Sequence, residues 1–216
     1  MDTSHLLGLK WSDIRREAQA YVSEHGVGAF DPAVQCYGDP NWEVRAFAVQ
    51  MLGSLAGEDG RALAFLFATC GSDPAWQVNE ALAMAFDDYC TATGYEQALP
   101  VMREWLRSES PNVRRAVSEG LRPWTASRRT YFAKHPQEAI DMLGTLKDDP
   151  TRYVQESVGN ALRDISRKEF GLVLAALRAW ASEDPASKPR RTIAKFALEN
   201  AVKEDPLLRD VYTDKG

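Results

Sequence analysis

Residues 39–45 read DPNWEVR, and similar openings recur four times further along the chain. The later openings are DPAWQVN at 73–79, SPNVRR at 110–115, DPTRYVQ at 149–155 and DPASKPRR at 184–191. Their prolines, Pro40, Pro74, Pro111, Pro150 and Pro185, are separated by 34, 37, 39 and 35 residues. Internal repetition at a period of about 20–50 residues is typical of a protein built from stacked structural repeats.

Each opening predicts the start of a helix. Asp or Ser followed by Pro is favoured there because the side chain accepts a hydrogen bond from a free backbone N–H and proline lacks one. Apolar residues follow at helical spacing, as in the sets Val44, Phe47, Ala48, Met51, Leu52 and Val154, Ser157, Val158, Ala161, Leu162. Partner helices are predicted at residues 60–70, 95–107, 136–147 and 169–181. Helix pairs at this period predict an all-α fold, an α-solenoid of about five HEAT-like helical repeats.

The whole chain, residues 1–216, is interpreted as a single domain of this kind. An N-terminal capping segment, 1–25, contains a predicted helix at about 2–23 that covers the end of the stack. The repeats occupy about 26–205, and a short C-terminal tail follows. The one long connection, at 123–134, is rich in Arg, Ser and aromatic residues.

The composition excludes several classes of protein. With 216 residues, a net charge of −5, 44% hydrophobic and 26% charged residues, the chain is of ordinary globular composition, which argues against disorder or a fibre. No apolar stretch approaches the roughly 20 residues of a membrane span. Residues 1–10 lack the basic and apolar regions of a signal peptide. We therefore expect a cytoplasmic protein.

Motifs for metal and cofactor chemistry are absent from the sequence. Cys36, Cys70 and Cys90 are odd in number and widely spaced, which argues against a disulfide framework or a zinc site. The three histidines are too scattered to complete a metal site with them. The sequence contains no P-loop, GxGxxG fingerprint, HExxH or nucleophile elbow. We expect neither a metal nor an organic cofactor.

Charge is distributed unevenly along the chain. Residues 1–100 hold 5 basic and 14 acidic side chains, whereas residues 101–216 hold 21 basic and 17 acidic ones. This asymmetry suggests that the C-terminal half contacts an anionic partner, because even an acidic protein can bind nucleic acid through a local basic patch. Ordinary variation of charge along a solvated surface is an equally good explanation.

A polar stripe is found when the repeats are aligned on Val44, Val78, Val113, Val154 and Pro189. Positions two, six and ten residues later share one helical face. From the first repeat to the fifth, this face reads Ala46, Gln50, Ser54; Glu80, Met84, Asp88; Arg115, Glu119, Pro123; Glu156, Asn160, Asp164; Arg191, Lys195, Glu199. Because equivalent helices line one side of a solenoid, we predict that the polar stripe runs along the concave groove.

The polar stripe and its surroundings suggest a site for an anionic polymer. Basic side chains crowd the adjoining segments: Arg114, Arg122, Arg128, Arg129, Lys134, Arg152, Arg163, Arg167, Lys168, Lys188, Arg190, Arg191 and Lys195. Trp124 is a candidate for stacking on bases or sugars, whereas Trp42 and Trp76 suit a structural role at the repeat junctions. The alternative interpretation of the stripe is a solvated face with weak i,i+4 ion pairs between Glu and Arg.

Two stretches resemble a known family. The runs SPNVRRAVSEGLRPW, residues 110–124, and LKDDPTRYVQESVGNALRDISRK, residues 146–168, are similar to the bacterial DNA-alkylation-repair glycosylases built from HEAT-like repeats, and nearer to the AlkC branch than to the AlkD branch. The resemblance extends over about residues 39–200. The loop after the SEG motif is shorter than in AlkC-like sequences, since the chain runs directly into Trp124.

The resemblance implies hydrolysis of the N-glycosidic bond between deoxyribose and an N3- or N7-alkylated purine in double-stranded DNA, without a cofactor. Carried over by matching motif, Glu119 of SEG and Asp164 of RDIS are the implied catalytic carboxylates, with Glu80 as a third. Arg115 and Arg122 are the implied phosphate ligands beside the lesion. The other side chains expected to contact DNA are Trp124, Arg128, Arg163, Lys188, Arg190, Arg191 and Lys195. We expect the protein to be a monomer.

Two other functions stay open on the sequence. The first is binding of branched or unusual DNA without base excision, as in some members of the superfamily. The second is a scaffold for other proteins, which is a common role of HEAT-like solenoids. A glycosylase releases a base, a DNA binder shows steep salt dependence without base release, and a protein scaffold shows neither.

Overall fold

The computed structural model describes residues 2–122 and 131–213. Within these residues the secondary structure is helical throughout and contains no strand, which confirms the predicted all-α class. The chain divides into two compact units, Met1–Ala116 and Val117–Gly216. No helix of the described residues is long and apolar enough to cross a membrane.

Eleven α-helices are found in the described part of the chain. In order, they are α1 (Trp11–His25), α2 (Phe30–Tyr37), α3 (Trp42–Leu55), α4 (Gly60–Ala68), α5 (Trp76–Thr93), α6 (Tyr95–Trp105), α7 (Pro111–Gly120), α8 (Pro136–Gly144), α9 (Arg152–Glu183), α10 (Lys188–Ala197) and α11 (Ala201–Glu204). Short 3-10 helices cover Ser4–Leu6, Gly26–Ala29, Cys70–Ser72 and Pro206–Val211. The boundary between the two units falls within α7.

The predicted partner helices are present, with small differences at their ends. Those predicted at 60–70, 95–107 and 136–147 correspond to α4, α6 and α8, each of which ends two or three residues earlier. The fourth, predicted at 169–181, is the second half of α9. Glu169 has a non-helical backbone (φ −119°, ψ 46°), so a kink separates it from the first half.

The N-terminal segment differs from the prediction of one helix at 2–23. A 3-10 turn at Ser4–Leu6 is followed by α1, which begins at Trp11. Gly8 has a φ of +77° and Lys10 has an extended backbone, so the helix cannot run through this point. The capping helix is therefore shorter and begins later than the apolar pattern suggests.

The Asp-Pro pairs form a turn before the helix and do not cap the helix itself, contrary to the sequence prediction. Asp39 Oδ1 accepts a hydrogen bond of 2.8 Å from the backbone N–H of Asn41, and α3 begins only at Trp42. Asp73 and Asp149 accept equivalent bonds, also of 2.8 Å, before α5 and α9. This is the Asx turn, in which the carboxylate substitutes for a backbone carbonyl.

The third repeat follows a different register. Pro111 is the first residue of α7, and it is Ser108 that accepts the turn hydrogen bond, from the N–H of Ser110 at 3.2 Å. The repeats are therefore equivalent by their Val positions, as in the alignment of the polar stripe, and not by their prolines.

A polar contact that the sequence analysis did not anticipate fixes each of these turns. The residue after the aligned Val donates to the backbone carbonyl six residues earlier in the first four repeats. The donors Arg45, Asn79, Arg114 and Gln155 reach the carbonyls of Asp39, Asp73, Ser108 and Asp149 at 3.0, 3.4, 2.8 and 2.8 Å. These bonds satisfy carbonyls that precede the helix, which lowers the cost of burying the turn.

Glycines allow equivalent helices to pack closely within each unit. In the first unit, a Cβ on Gly53 of α3 would lie 2.5 Å from Cα of Ala85 in α5. In the second, a Cβ on Gly159 of α9 would lie 2.4 Å from Cβ of Phe196 in α10. Both distances are below any van der Waals contact, so these helices pack backbone against backbone. This close packing brings the polar stripe of one repeat next to that of the following repeat.

Candidate active site

Arg122 joins two of the three carboxylates that the sequence predicts to be catalytic. Its Nη1 donates to Oε2 of Glu119 at 2.8 Å and its Nε donates to Oδ2 of Asp164 at 2.7 Å. Glu119 lies near the end of α7, Arg122 directly after that helix, and Asp164 on the first half of α9. The three residues, called here the Arg122 cluster, all belong to the second unit.

The members of the Arg122 cluster differ in their access to solvent. The side chain of Asp164 is 3% exposed, whereas that of Glu119 is 16% exposed. Burial lowers the pKa of the Arg122 guanidinium, but the charges and hydrogen bonds of Glu119 and Asp164 outweigh it and raise that pKa above its ordinary value. Arg122 is therefore a permanent cation between two carboxylates, and a nearby arginine, Arg167, lies 3.9 Å from the second oxygen of Asp164.

Two buried serine hydroxyls lie next to Glu119. Ser157 Oγ donates to Oε1 of Glu119 at 2.7 Å, and Ser118 Oγ lies 2.7 Å from Ser157 Oγ. The apolar pattern predicts that Ser157 lies on the core face of its helix, and it predicts no role for Ser118. The signal that could have found them is a hydroxyl at a position where other repeats carry an apolar side chain.

The third predicted carboxylate, Glu80, lies in the first unit. Its Oε1 accepts a hydrogen bond of 2.6 Å from Nη2 of Arg115, whose side chain is largely buried. Asp88, at the position equivalent to Asp164, forms an ion pair with Arg15 of α1. Both carboxylates of the polar stripe in the second repeat are thus held by arginines of other helices.

Three other positions of the polar stripe form no part of these clusters. Ala46 is buried, and Gln50 is buried with its Nε2 donating to the carbonyl of Ala81 at 3.3 Å. Glu156 instead pairs with Arg152 one turn earlier on α9, at 2.6 Å, and both side chains are exposed. Ala46 and Gln50 of the stripe therefore belong to the core, and Glu156 makes the i,i+4 pair of the alternative interpretation.

The predicted DNA-contacting residues of the second unit fall into two groups. Arg163 is bound by Glu199 and by Oδ1 of Asn160, the latter at 2.7 Å. Arg190 is largely buried and donates to both oxygens of Asp148, at 2.7 and 2.6 Å, which raises its pKa. Lys188 and Lys195 are exposed on α10, and Arg191 is partly exposed there. Trp124 and Arg128 lie outside the described residues.

Clusters of potential metal ligands and cavities were sought in the described ranges, 2–122 and 131–213. No group of three or more His, Cys, Asp or Glu side chains in those ranges could hold a metal ion. A cavity of about 540 Å³ lies between the second half of α9, the start of α10 and the C-terminal 3-10 helix. Its described lining includes Arg178, Asp184 and Asp210 but none of the Arg122 cluster.

Comparison with known proteins was made for the sequence and for the structure. The chain matches the family described as DNA alkylation repair enzyme over residues 2–204. AlkD2 from Streptococcus mutans is 38% identical, with a TM-score of 0.82 over 90% of this chain and 92% of that chain. YhaZ of Bacillus subtilis (strain 168) is 26% identical over 122 residues, which is 49% of this chain and 34% of that protein. The chain thus spans about a third of the length of this curated relative.

AlkC from Pseudomonas fluorescens, in a structure bound to DNA containing an abasic site analog, shares the fold. It is 21% identical, with a TM-score of 0.52 over 92% of this chain and 63% of that chain. These structures confirm the HEAT-like fold predicted from the repeats. The preference for the AlkC branch receives no support, because AlkD2 is more similar to this chain than AlkC in both sequence and structure.

Proposed function

We propose that this chain, which belongs to the DNA alkylation repair enzyme family, is a DNA glycosylase for purines alkylated at N3 or N7. The observation that carries the proposal is the Arg122 cluster, in which one guanidinium holds the carboxylates of Glu119 and Asp164. Such a cluster supplies fixed negative charge where a cationic lesion needs it. The bond cleaved is the N-glycosidic bond between deoxyribose and the alkylated base.

The chemistry requires little more than a positioned carboxylate and a water molecule. Alkylation at N3 or N7 makes the base cationic, so it leaves without prior protonation. As the C–N bond breaks, positive charge develops on the sugar, and a carboxylate fixed beside it stabilises that charge. A carboxylate can also orient the attacking water and accept its proton.

Exposure divides these roles between the two carboxylates. We assign the catalytic role to Glu119, because its side chain is the more exposed of the two and can approach a sugar. Asp164 is buried and acts through Arg122, whose position it fixes. Glu80 stays a prediction as the third carboxylate.

The partner proposed is double-stranded DNA carrying alkylated bases, bound in the cytoplasm by a monomer. Lys188, Arg191 and Lys195 of α10 are accessible enough to contact phosphates. Arg163 and Arg190 already have carboxylate partners, so a phosphate has to compete with Glu199 or Asp148 for them. The same holds for Arg115, which binds Glu80, and for Arg122, which binds Glu119 and Asp164. These two arginines complete the proposed DNA contacts together with Trp124 and Arg128.

The decisive experiment measures release of free base. The purified protein is incubated with duplex DNA containing 3-methyladenine or 7-methylguanine, and free base is quantified by chromatography. The proposal predicts time-dependent release that scales with enzyme and is absent from unmodified DNA. A folded protein that binds the same DNA and releases neither base contradicts it.

A second candidate function is binding of damaged or unusual DNA without excision. The observation that favours it is that both carboxylates of the Arg122 cluster are already paired with Arg122 in the unliganded protein. This candidate predicts salt-dependent DNA binding without base release. The same incubation, combined with a binding measurement on the same DNA, separates the two functions.

A further inference from the structure

Two buried serines lie at positions that most other repeats fill with apolar residues. Ser157 follows the aligned Val by three residues, where the first three repeats carry Phe47, Ala81 and Ala116 and the fifth carries Thr192. Ser118 follows it by five, where other repeats carry Val49, Ala83, Gly159 and Ala194. Both serines are almost completely buried, at 3% and 0% exposure. Burying a hydroxyl costs free energy unless it is hydrogen bonded, so each of these serines needs a hydrogen-bond partner.

That partner is Glu119. Ser157 Oγ lies 2.7 Å from Oε1 of Glu119 and 2.7 Å from Oγ of Ser118. A hydroxyl has one hydrogen to donate, and an ionised carboxylate can only accept. Ser157 therefore donates to Glu119, and Ser118 donates to Ser157. The chain of hydrogen bonds runs in one direction, from Ser118 through Ser157 to the carboxylate.

Glu119 is thus held at both oxygens. Arg122 binds Oε2 and Ser157 binds Oε1, which fixes the plane of the carboxylate as well as its position. We propose that Ser157 and Ser118 are positioning residues that orient Glu119 toward the sugar of the lesion. This inference rests on the proposed glycosylase function and adds two residues to its machinery. A hydroxyl that accepts a hydrogen bond donates a stronger one in turn. Ser118 therefore acts on Glu119 through Ser157.

The test compares Ser157→Ala, Ser118→Ala and the double variant with the parent protein. We expect Ser157→Ala to lower the single-turnover excision rate about tenfold, as loss of a hydrogen bond to a charged group does, while the Kd for DNA changes less than about twofold. Ser118→Ala should have a smaller effect, and the double variant should match Ser157→Ala because the two serines act in series. Additive losses in the double variant contradict the series arrangement.

The matched control is Ser166→Ala on the same helix. The hydroxyl of Ser166 donates its hydrogen bond to the carbonyl of Arg163, at 2.8 Å, and not to Glu119. Its removal should leave the excision rate within about twofold of the parent. A tenfold loss in this control means that any hydroxyl of α9 matters for packing, and this result overturns a positioning role for Ser157.

A second readout does not depend on activity. Crystal structures of the parent and of Ser157→Ala should show the Glu119 carboxylate displaced by about 1 Å or more, or in two conformers, in the variant. An unmoved carboxylate overturns the inference, whether or not the parent excises bases. If the carboxylate moves but the parent releases no base, the positioning is supported and the glycosylase function is rejected. A moved carboxylate with an unchanged excision rate rejects the role of the serines in catalysis.

Discussion

Arg122 donates its Nε–H to Oδ2 of Asp164 at 2.7 Å, and this carboxylate is almost completely buried. A buried ion pair of this kind contributes little net stability, but breaking it by removing one partner leaves an uncompensated charge in a region of low dielectric constant. The same guanidinium also holds Glu119, so stability and the proposed catalysis depend on one side chain.

We predict that Arg122→Gln lowers the free energy of unfolding by about 3 kcal/mol, because the buried Asp164 loses its hydrogen-bonded cation and keeps only the more distant Arg167, at 3.9 Å. Urea denaturation with a comparison of m-values measures the change. The control is Arg163→Gln, whose partner Glu199 is 57% exposed, and which should cost less than about 1 kcal/mol. Equal losses in the two variants mean that burial of Asp164 does not govern the result.

The carboxylates themselves should separate catalysis from binding. Glu119→Gln keeps the size of the side chain but removes its charge, so we expect the excision rate to fall at least tenfold with a nearly unchanged Kd for DNA. Asp164→Asn should also lower the rate at least tenfold, through a displaced Arg122. Asp141→Asn, an exposed carboxylate on α8, is the control and should excise normally. Unchanged rates in both Glu119→Gln and Asp164→Asn remove these residues from the mechanism.

The fold could be predicted because repetition makes helix starts visible several times over. Periodicity predicts the partner helices and the alignment of the repeats on Val44 and its equivalents. From that alignment it also follows that Glu119 and Asp164 lie on the same face of neighbouring repeats. The registers of the openings could not be predicted as easily. Asp39 can either cap the helix or form an Asx turn before it. The choice depends on φ and ψ two residues later, which local composition does not determine.

Burial within the polar stripe could not be predicted from the sequence. Gln50 and Asp164 occupy equivalent faces of their helices and are polar, yet both are buried, Gln50 against the carbonyl of Ala81 and Asp164 against Arg122. Ser157 presents the opposite difficulty, since a serine within an apolar pattern is read as a tolerated core residue. Its hydrogen bond to Glu119 joins α9 to α7, and it depends on the separation of these two helices, which the apolar pattern of either helix does not give.

Lowering the pH should destabilise the first unit by protonating the carboxylate of Asp73. Burial alone raises the pKa of the Asp73 carboxyl, but hydrogen bonds from Arg45 and from the Ala75 N–H outweigh it, so this pKa lies below its ordinary value. A carboxyl with a lowered pKa in the folded state stabilises the fold above its unfolded pKa, about 3.9, and this contribution is lost as the pH falls through the lower folded value. The stabilisation is therefore complete at neutral pH and decreases below about pH 4.

The corresponding measurement is thermal unfolding of the parent and of Asp73→Asn from pH 7 to pH 3. Asparagine keeps the acceptor for the Ala75 N–H but removes the negative charge and the second acceptor, Oδ2, which binds Nε of Arg45 at 2.7 Å, so the variant reports the ion pair with Arg45. We expect it to be less stable by about 2 kcal/mol at pH 7 and pH 5, with the difference shrinking below pH 4. Asp39→Asn, in the equivalent turn, should cost less than about 0.5 kcal/mol. A difference for Asp73→Asn that grows on acidification contradicts the sign of the pKa shift.

DNA binding should depend on the exposed cations of α10. Lys195→Ala is expected to weaken binding of all DNA sequences to a similar extent and to reduce the slope of log K against log salt by about 1. Fluorescence anisotropy at several salt concentrations measures both quantities. Lys203→Ala removes an equally exposed lysine outside the predicted contacts and should leave the slope unchanged. Identical slopes for the two variants exclude Lys195 from the interface.

Close packing of α9 against α10 predicts that alanine has opposite effects on stability at two glycines of α9. A Cβ at Gly159 meets Phe196 Cβ at 2.4 Å and the carbonyl oxygen of Ile193 at 2.9 Å, so Gly159→Ala forces the two helices apart. We expect a loss of about 2 kcal/mol in the free energy of unfolding. Gly171 meets nothing within 4 Å, so Gly171→Ala should stabilise the protein by about 0.5 to 1 kcal/mol through helix propensity.

The pair of variants is informative because the chemical change is the same in both. Urea denaturation gives both free energies, and the excision rate of Gly159→Ala reports whether the packing of α9 also positions Asp164. Since Asp164 lies five residues beyond Gly159 on the same helix, separation of α9 from α10 should shift its carboxylate relative to Arg122 and lower the rate. A stabilising effect of alanine at both positions shows that α9 and α10 are not in backbone contact, and the close-packed arrangement of these repeats is then wrong.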